Sequence, residues 1–211
     1  MRKSFAIPLG LVTIYLSSCI SYSVGTTARP APKGEFQPNL AVYFIPNGID
    51  RPGNGAADES LTYASADFEG RWGISDRSDL AIRAPAGSGA ILTWKYLVNG
   101  VNDPEVTAVA TIIGTGIVNF GNHAYVEAGL IASGREDDRV PYGGLRAMHV
   151  VPISSGAVSD TPTAGLFGGV RFRVGTNFSL SPEVGIYYDE SALGLRERDI
   201  VVVPSITFHW D

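Results

Sequence analysis

Apolar and polar side chains alternate along most of this chain, which is the pattern of strands that bury one face. Residues 61–73 are typical, because Phe68 and Trp72 share one face while Asp67 and Glu69 share the other. Turn-forming residues such as Gly, Pro, Asn and Asp separate successive segments. Ten strands are predicted in this way, at residues 35–46, 61–73, 79–86, 89–98, 105–115, 122–133, 141–152, 164–175, 177–188 and 198–210.

The order and spacing of these segments indicate an all-β, antiparallel up-and-down β-barrel of about ten strands. Consecutive strands joined by short connections pair antiparallel, and single-chain bacterial barrels close with an even number of strands. Three connectors at one end are long, at residues 47–60, 153–163 and 189–197, whereas none at the other end exceeds seven residues. Long connectors outside and short turns inside are typical of a barrel in the outer membrane.

Alternation alone does not tell which face is turned inward, because soluble half-buried sheets alternate too. Aromatic residues lie towards strand ends, as they do in the girdles at a membrane interface, and this favours lipid on the apolar face and a polar lumen. We therefore expect charged side chains of both signs to pair with one another and fill a narrow lumen. The expected lumen residues are Asp67, Glu69, Arg71, Arg83, Lys95, Glu127, Arg171, Arg173 and Glu183.

The N-terminus carries the features of a cleaved export signal. Arg2 and Lys3 precede an apolar run, Phe5–Leu16, that is too short to anchor a protein across a bilayer. The run ends in Leu16-Ser17-Ser18-Cys19, an aliphatic residue and two small residues before a Cys, which resembles the lipobox of bacterial lipoproteins. Residues 1–18 are therefore predicted to be a lipoprotein signal peptide.

The lipobox resemblance implies that Cys19 becomes the first residue of the mature protein and carries acyl chains such as palmitate. Ile20 stands where an inner-membrane retention signal typically has Asp, which implies transfer to the outer membrane by the lipoprotein-sorting machinery, with the N-terminus on the periplasmic side. Residues 19–34 are polar and rich in Gly and Pro, which predicts a flexible tether before a barrel at residues 35–211. An ordinary secretory signal followed by a chance Cys is the alternative.

Two further segments resemble outer-membrane β-barrel proteins. The stretch from Gly73 to Arg83 is similar to a turn that recurs in them, with an aromatic residue, Gly, an aliphatic residue, Ser, Asp and Arg in order. The end of the chain, 206–210, alternates apolar residues up to the aromatic Trp210, which resembles their C-terminal assembly signal, although Asp211 follows here. The resemblance implies outer-membrane lipid and the barrel-assembly machinery as partners, and it brings no functional residue with it.

Residues that carry chemistry are scarce. The net charge of −5 comes without a basic stripe, which excludes an evident nucleic-acid partner, and a single Cys excludes an intramolecular disulfide. The three His residues lack the spacing of metal ligands, and the acidic turn 136–138 is expected to be solvated rather than to hold Ca²⁺. His149 with Ser154 or Ser155 lacks the motif of a hydrolase. We expect no enzyme activity, no metal and no cofactor.

Three functions remain in view from the sequence. The first is a lipid-anchored, non-enzymatic outer-membrane barrel that acts through its surface loops or as a structural component. The second is a small pore or carrier for polar solutes that uses the charged lumen. The third is an acylated, soluble periplasmic barrel that binds an apolar ligand, and it requires aromatic residues inside the barrel and charges outside.

Overall fold

The computed structural model contains a closed antiparallel barrel of ten strands, which confirms the predicted fold class. It describes residues 21–50, 60–99, 103–154, 162–189 and 199–210, so the predicted signal peptide, Cys19 and parts of the long connectors lie outside the described residues. The strands are β1 (Phe36–Asp50), β2 (Ser60–Ser75), β3 (Ser78–Pro85), β4 (Ala90–Leu97), β5 (Ala108–Val118), β6 (His123–Ser133), β7 (Arg139–Pro152), β8 (Thr163–Arg173), β9 (Phe178–Asp189) and β10 (Asp199–Trp210).

Each strand pairs with the next along the chain, and β1 pairs with β10 to close the barrel. Leu40 shows the closure, because it lies opposite Phe68 on β2 and opposite Phe208 on β10. The largest error in the predicted strand starts is at β5, predicted from residue 105 and found from Ala108. Residues 103–107 form a turn instead, in which the Glu105 amide donates to the Asp103 side chain (2.9 Å), a local bond that competes with strand pairing.

The barrel has two unlike ends, which we name by their connections. The short-turn end holds the connections β2–β3, β4–β5, β6–β7 and β8–β9, and the long-connector end holds the other strand connections. Two compact links also lie at the long-connector end, between Pro85 and Ala90 and across the short 3-10 turn Asn119–Gly121. Gly87 gives the first of these its left-handed backbone (φ 68°), a conformation that glycine adopts without strain.

The apolar face of the sheet is turned outward. Phe68, Leu166 and Ile200 are 63 %, 63 % and 66 % exposed, whereas Asp67 and Glu69 beside them are buried in the interior. Soluble monomers rarely expose so large a continuous apolar surface, whereas a membrane barrel presents one to lipid. Other members of this outer belt are Phe44, Ile82, Leu92, Ile113, Val126, Leu145, Val184, Ile186 and Val202.

Aromatic rings gather on the outer surface at the short-turn end. Phe36 lies beside Trp72 with ring centroids 4.5 Å apart, and Trp94 lies beside Tyr96 at 5.5 Å. Phe178 of β9 contacts Trp210 of β10 at 5.8 Å. Membrane barrels carry such a girdle of aromatic residues where the barrel crosses the lipid–water interface. Among the described residues no helix is long and apolar enough to cross a membrane, a finding that does not bear on crossing by strands.

Candidate functional site: the barrel lumen

The N-terminal segment, residues 21–31, lies inside the barrel, and every one of its residues is buried. Followed back from β1 towards the N-terminus, the segment enters at the short-turn end, where Lys33 bridges to Gly73. Ser21, its first residue, lies beside the middle of β7. These residues belong to the segment predicted to be a flexible tether, and the structure places them inside the barrel. Small and polar side chains, which suit a solvated linker, equally suit a narrow polar lumen.

Carboxylates of the wall accept hydrogen bonds from the main chain of this N-terminal segment. The amides of Val24 and Gly25 donate to the two oxygens of Glu183, at 2.9 and 2.8 Å. The amide of Ala31 donates to Asp79 Oδ2 at 2.8 Å. Amide bonds to a charged acceptor are stronger than those between neutral groups, so these carboxylates fix the height of the segment in the barrel.

Cationic and phenolic side chains of the wall donate to carbonyls of the same segment. A buried stretch of main chain without a neighbouring strand would otherwise leave these oxygens unpaired, which costs about 1–3 kcal/mol each. The donors with their carbonyl partners are Lys95 with Thr27 (3.1 Å) and Arg29 (2.6 Å), Arg83 with Ser23 (3.2 Å), Arg146 with Ser21 (2.6 Å), and Tyr187 with Tyr22 (2.5 Å).

One group of lumen charges is centred on Glu69. Its carboxylate binds Arg71 at 2.8 Å and Arg83, its cross-strand partner, at 2.7 Å. Arg71 also binds Asp79, and Lys95 binds Asp79 at 3.2 Å. All five side chains are buried. Because each of these charges faces at least one opposite charge, the group avoids the cost of an unpaired ion in a low-dielectric interior.

A second group is centred on Glu127, which forms an ion pair with Arg146. Tyr125 and Thr93 donate to the same carboxylate at 3.0 and 3.1 Å, and Arg146 also donates to the Tyr125 hydroxyl at 3.0 Å. This group lies across the lumen from the first and contacts the start of the N-terminal segment through Ser21.

Seven of the nine residues predicted for the lumen network are buried inside the barrel: Asp67, Glu69, Arg71, Arg83, Lys95, Glu127 and Glu183. Arg171 is half-buried and Arg173 exposed, and both lie at the mouth of the short-turn end. Two members of the network, Asp79 and Arg146, were not predicted. Asp79 belongs to the barrel-like turn, and Arg146 lies in β7, the predicted strand with the weakest alternation. The signal that could have found both is their position on the inward face of the alternating pattern.

Above the charged groups, towards the long-connector end, the lumen is filled by apolar side chains. Tyr22 of the N-terminal segment packs edge-on against Tyr187 (ring centroids 5.3 Å) and Tyr43 (6.3 Å). This differs from the expected polar lumen. The inward residues of this apolar layer include Ile45, Ile91, Val118, Tyr125, Met148, Val150, Val201 and Val203.

At the short-turn end a cavity of about 600 Å³ remains beside the N-terminal segment. It opens at the mouth and is lined by Arg71, Lys95, Arg171, Arg173, Asn39 and His209, among others. The His209 ring bonds Ser181 and Asn39, both at 2.8 Å. The cavity is therefore a polar vestibule below the filled part of the lumen.

The other sequence candidates are not brought into a catalytic or metal site. Ser154 pairs with Asn122 (3.1 Å), no bond joins it to His149 in the described part of the chain, and residue 155 lies outside that part. No three His, Cys, Asp or Glu residues are placed to hold a metal ion within the described ranges. In the acidic turn, Glu136 pairs with Arg29 at 3.2 Å, so this turn also holds the N-terminal segment.

Among solved structures, this chain is similar to outer-membrane proteins. An outer membrane channel of Pseudomonas putida F1 aligns with a TM-score of 0.52 and 12 % identity, over 87 % of this chain and 97 % of that one. The likeness is one of fold. Neisserial surface protein A aligns at 0.40 and 13 % identity (83 % and 95 % covered), and OprG of Pseudomonas aeruginosa at 0.35 and 14 % (88 % and 98 %). No family model matches the chain, and no curated protein matches it.

Proposed function

We propose that this protein spans the outer membrane as a non-enzymatic β-barrel whose lumen is closed by residues 21–31. The observation that carries the proposal is the inversion of the two faces, with the apolar belt outside and buried ion pairs inside. A water-soluble barrel would place them the other way round, so the alternative of a periplasmic apolar-ligand carrier loses its support.

The closed lumen favours action through the long connectors or a structural role over conduction. The N-terminal segment, the two charge groups and the apolar layer together occupy the interior above the vestibule. Planar-bilayer recording of folded full-length protein tests this, and we expect no steady current. Single-channel currents from wild-type protein would refute the closed state.

The second candidate, a pore for polar solutes, is favoured by one specific observation. Part of the filling comes from the N-terminal segment, because small inward residues such as Ala108 and Ala110 lie in one cluster with its Val24 and Ala28. Withdrawal of the segment would leave a lumen lined by charged side chains. The two functions therefore differ in where residues 21–31 lie in the mature protein.

Acylation of Cys19, which the lipobox predicts, belongs with the second candidate and not with the closed barrel. Ser21 lies inside the lumen, and two residues span at most about 7 Å, too little to carry acyl chains from there to lipid outside the wall. Acylation and an occupied lumen therefore exclude each other. Palmitate labelling combined with bilayer recording decides between them, since the acylated form is expected to conduct and the unacylated form to be silent.

A further inference from the structure

We propose that the lumen is a binding site for an extended peptide, with residues 21–31 as its resident ligand, and that a free peptide of the same chemistry replaces that ligand. The proposal rests on the closed barrel described above. A segment that merely fills space would be held by packing. This one is bonded through its main chain, by carboxylates at its amides and by cations and a phenol at its carbonyls.

Main-chain recognition of this kind selects an extended conformation with little regard to most side chains, as when a peptide adds to a sheet edge. Here wall side chains replace the edge strand. Small residues face the N-terminal segment and leave room for a backbone but not for bulky groups. Ala108 and Ala110 lie in one cluster with Val24 and Ala28, and the Thr207 hydroxyl bonds that of Ser23 at 3.4 Å. Ser133 Oγ accepts from the Ala28 amide at 3.3 Å.

Three positions of the segment add sequence requirements. Tyr22 fills an aromatic pocket between Tyr43 and Tyr187. Gly25 has a left-handed backbone (φ 58°), and a Cβ there would lie 2.1 Å from Thr207 Oγ1, so no other residue fits.

Arg29 supplies the third requirement. It donates to the Val106 carbonyl at 2.5 Å and pairs with Glu136. The ligand class is thus an extended peptide entering from the short-turn end, with an aromatic residue, Gly three positions later and Arg four positions after that, joined by small uncharged residues.

The test makes the resident segment exchangeable while leaving the sequence of the ten strands unchanged. A protease site is inserted between Gly34 and Glu35, where the chain is exposed and a Cβ at Gly34 would meet nothing. The protein is folded into vesicles and cut, and a fluorescent peptide of residues 20–34 is added. We expect saturable binding by anisotropy, competed by the unlabelled peptide. The same peptide with Gly25→Trp is expected to bind at least about tenfold more weakly, because Thr207 blocks it.

Wall variants of the cut barrel examine the main-chain bonds. Glu183→Gln keeps the shape but replaces one of the two accepting oxygens with an NH2 donor, so one amide loses its acceptor and the affinity is expected to fall about tenfold or more. Glu105→Gln, on an exposed turn, is the matched control and should bind like the parent. Equal binding of the wild-type and Gly25→Trp peptides, or no loss in Glu183→Gln, overturns the proposal.

A second variant covers the case in which the cut segment never leaves. In uncut protein carrying Gly25→Trp, the resident segment cannot seat, and the wild-type peptide is expected to bind directly. Absence of binding both there and in the cut barrel also overturns the proposal. Currents from intact wild-type protein would instead refute the closed barrel, so the two failures are distinguishable.

Discussion

Arg146 offers the sharpest test of how the lumen is held together, through the substitution Arg146→Met. Its side chain is buried and binds Glu127, the Tyr125 hydroxyl and the Ser21 carbonyl. Methionine fills much of the same volume without a charge or a donor. The substitution therefore strands the Glu127 carboxylate inside the barrel and removes the donor that Ser21 uses.

The expected loss of stability follows from what is left unpaired. Removing one partner of a buried ion pair costs about 3–5 kcal/mol, because the other charge stays desolvated. Because Tyr125 and Thr93 still donate to Glu127, the loss of stability is expected to lie towards the lower end of that range. The orphaned Ser21 carbonyl adds about 1–3 kcal/mol when the N-terminal segment stays in place. We therefore expect a loss of about 4–6 kcal/mol if the segment stays in place and about 3–4 kcal/mol if it is released.

Urea unfolding of the protein in lipid vesicles measures this, with intrinsic tryptophan fluorescence as the signal. The matched control is the double variant Arg146→Met with Glu127→Met, which removes both charges and should recover most of the stability. A double-mutant cycle then isolates the coupling between them. A single-variant loss below about 1 kcal/mol, or a double variant no more stable than the single one, would refute the buried-pair reasoning.

Three further predictions concern the membrane face, the closure and the anchor. Leu166→Arg on the outer belt is expected to cost about 2–4 kcal/mol in vesicles, and an equal cost for Glu105→Arg on an exposed turn would count against lipid contact. Gly25→Trp should unseat the N-terminal segment and give steady currents in planar bilayers, where wild-type protein is silent; silence of the folded variant would show that the wall alone closes the lumen. Under the second candidate, the acylated pore, Cys19→Ser should abolish palmitate incorporation, and a mature N-terminus found elsewhere by mass spectrometry would reject the lipobox.

The strands were predictable because their geometry leaves a direct trace in the sequence. Side chains of a strand alternate between faces whatever the surroundings, so the ten segments and their two faces follow from parity. In β2, Phe68 and Trp72 lie outward and Asp67 and Glu69 inward, as the alternation requires. Parity does not tell what an inward residue meets. For that reason the inward tyrosines Tyr43 and Tyr125 were not assigned to the lumen, although they share the polar face.

The N-terminal segment could not be placed from its own residues, because nothing in them distinguishes a linker from a lumen ligand. The side chains of the barrel wall do make this distinction. Among the buried lumen residues of the described strands, Glu183 has no basic partner at ion-pair distance, and it instead accepts amides of Val24 and Gly25 and the hydroxyl of Tyr142 (3.0 Å). A buried carboxylate that lacks a cation must find donors, and in a narrow barrel a stretch of main chain supplies them. The side chains of the wall thus require main-chain donors inside the barrel. Residues 21–31, which precede β1 in the chain, supply them.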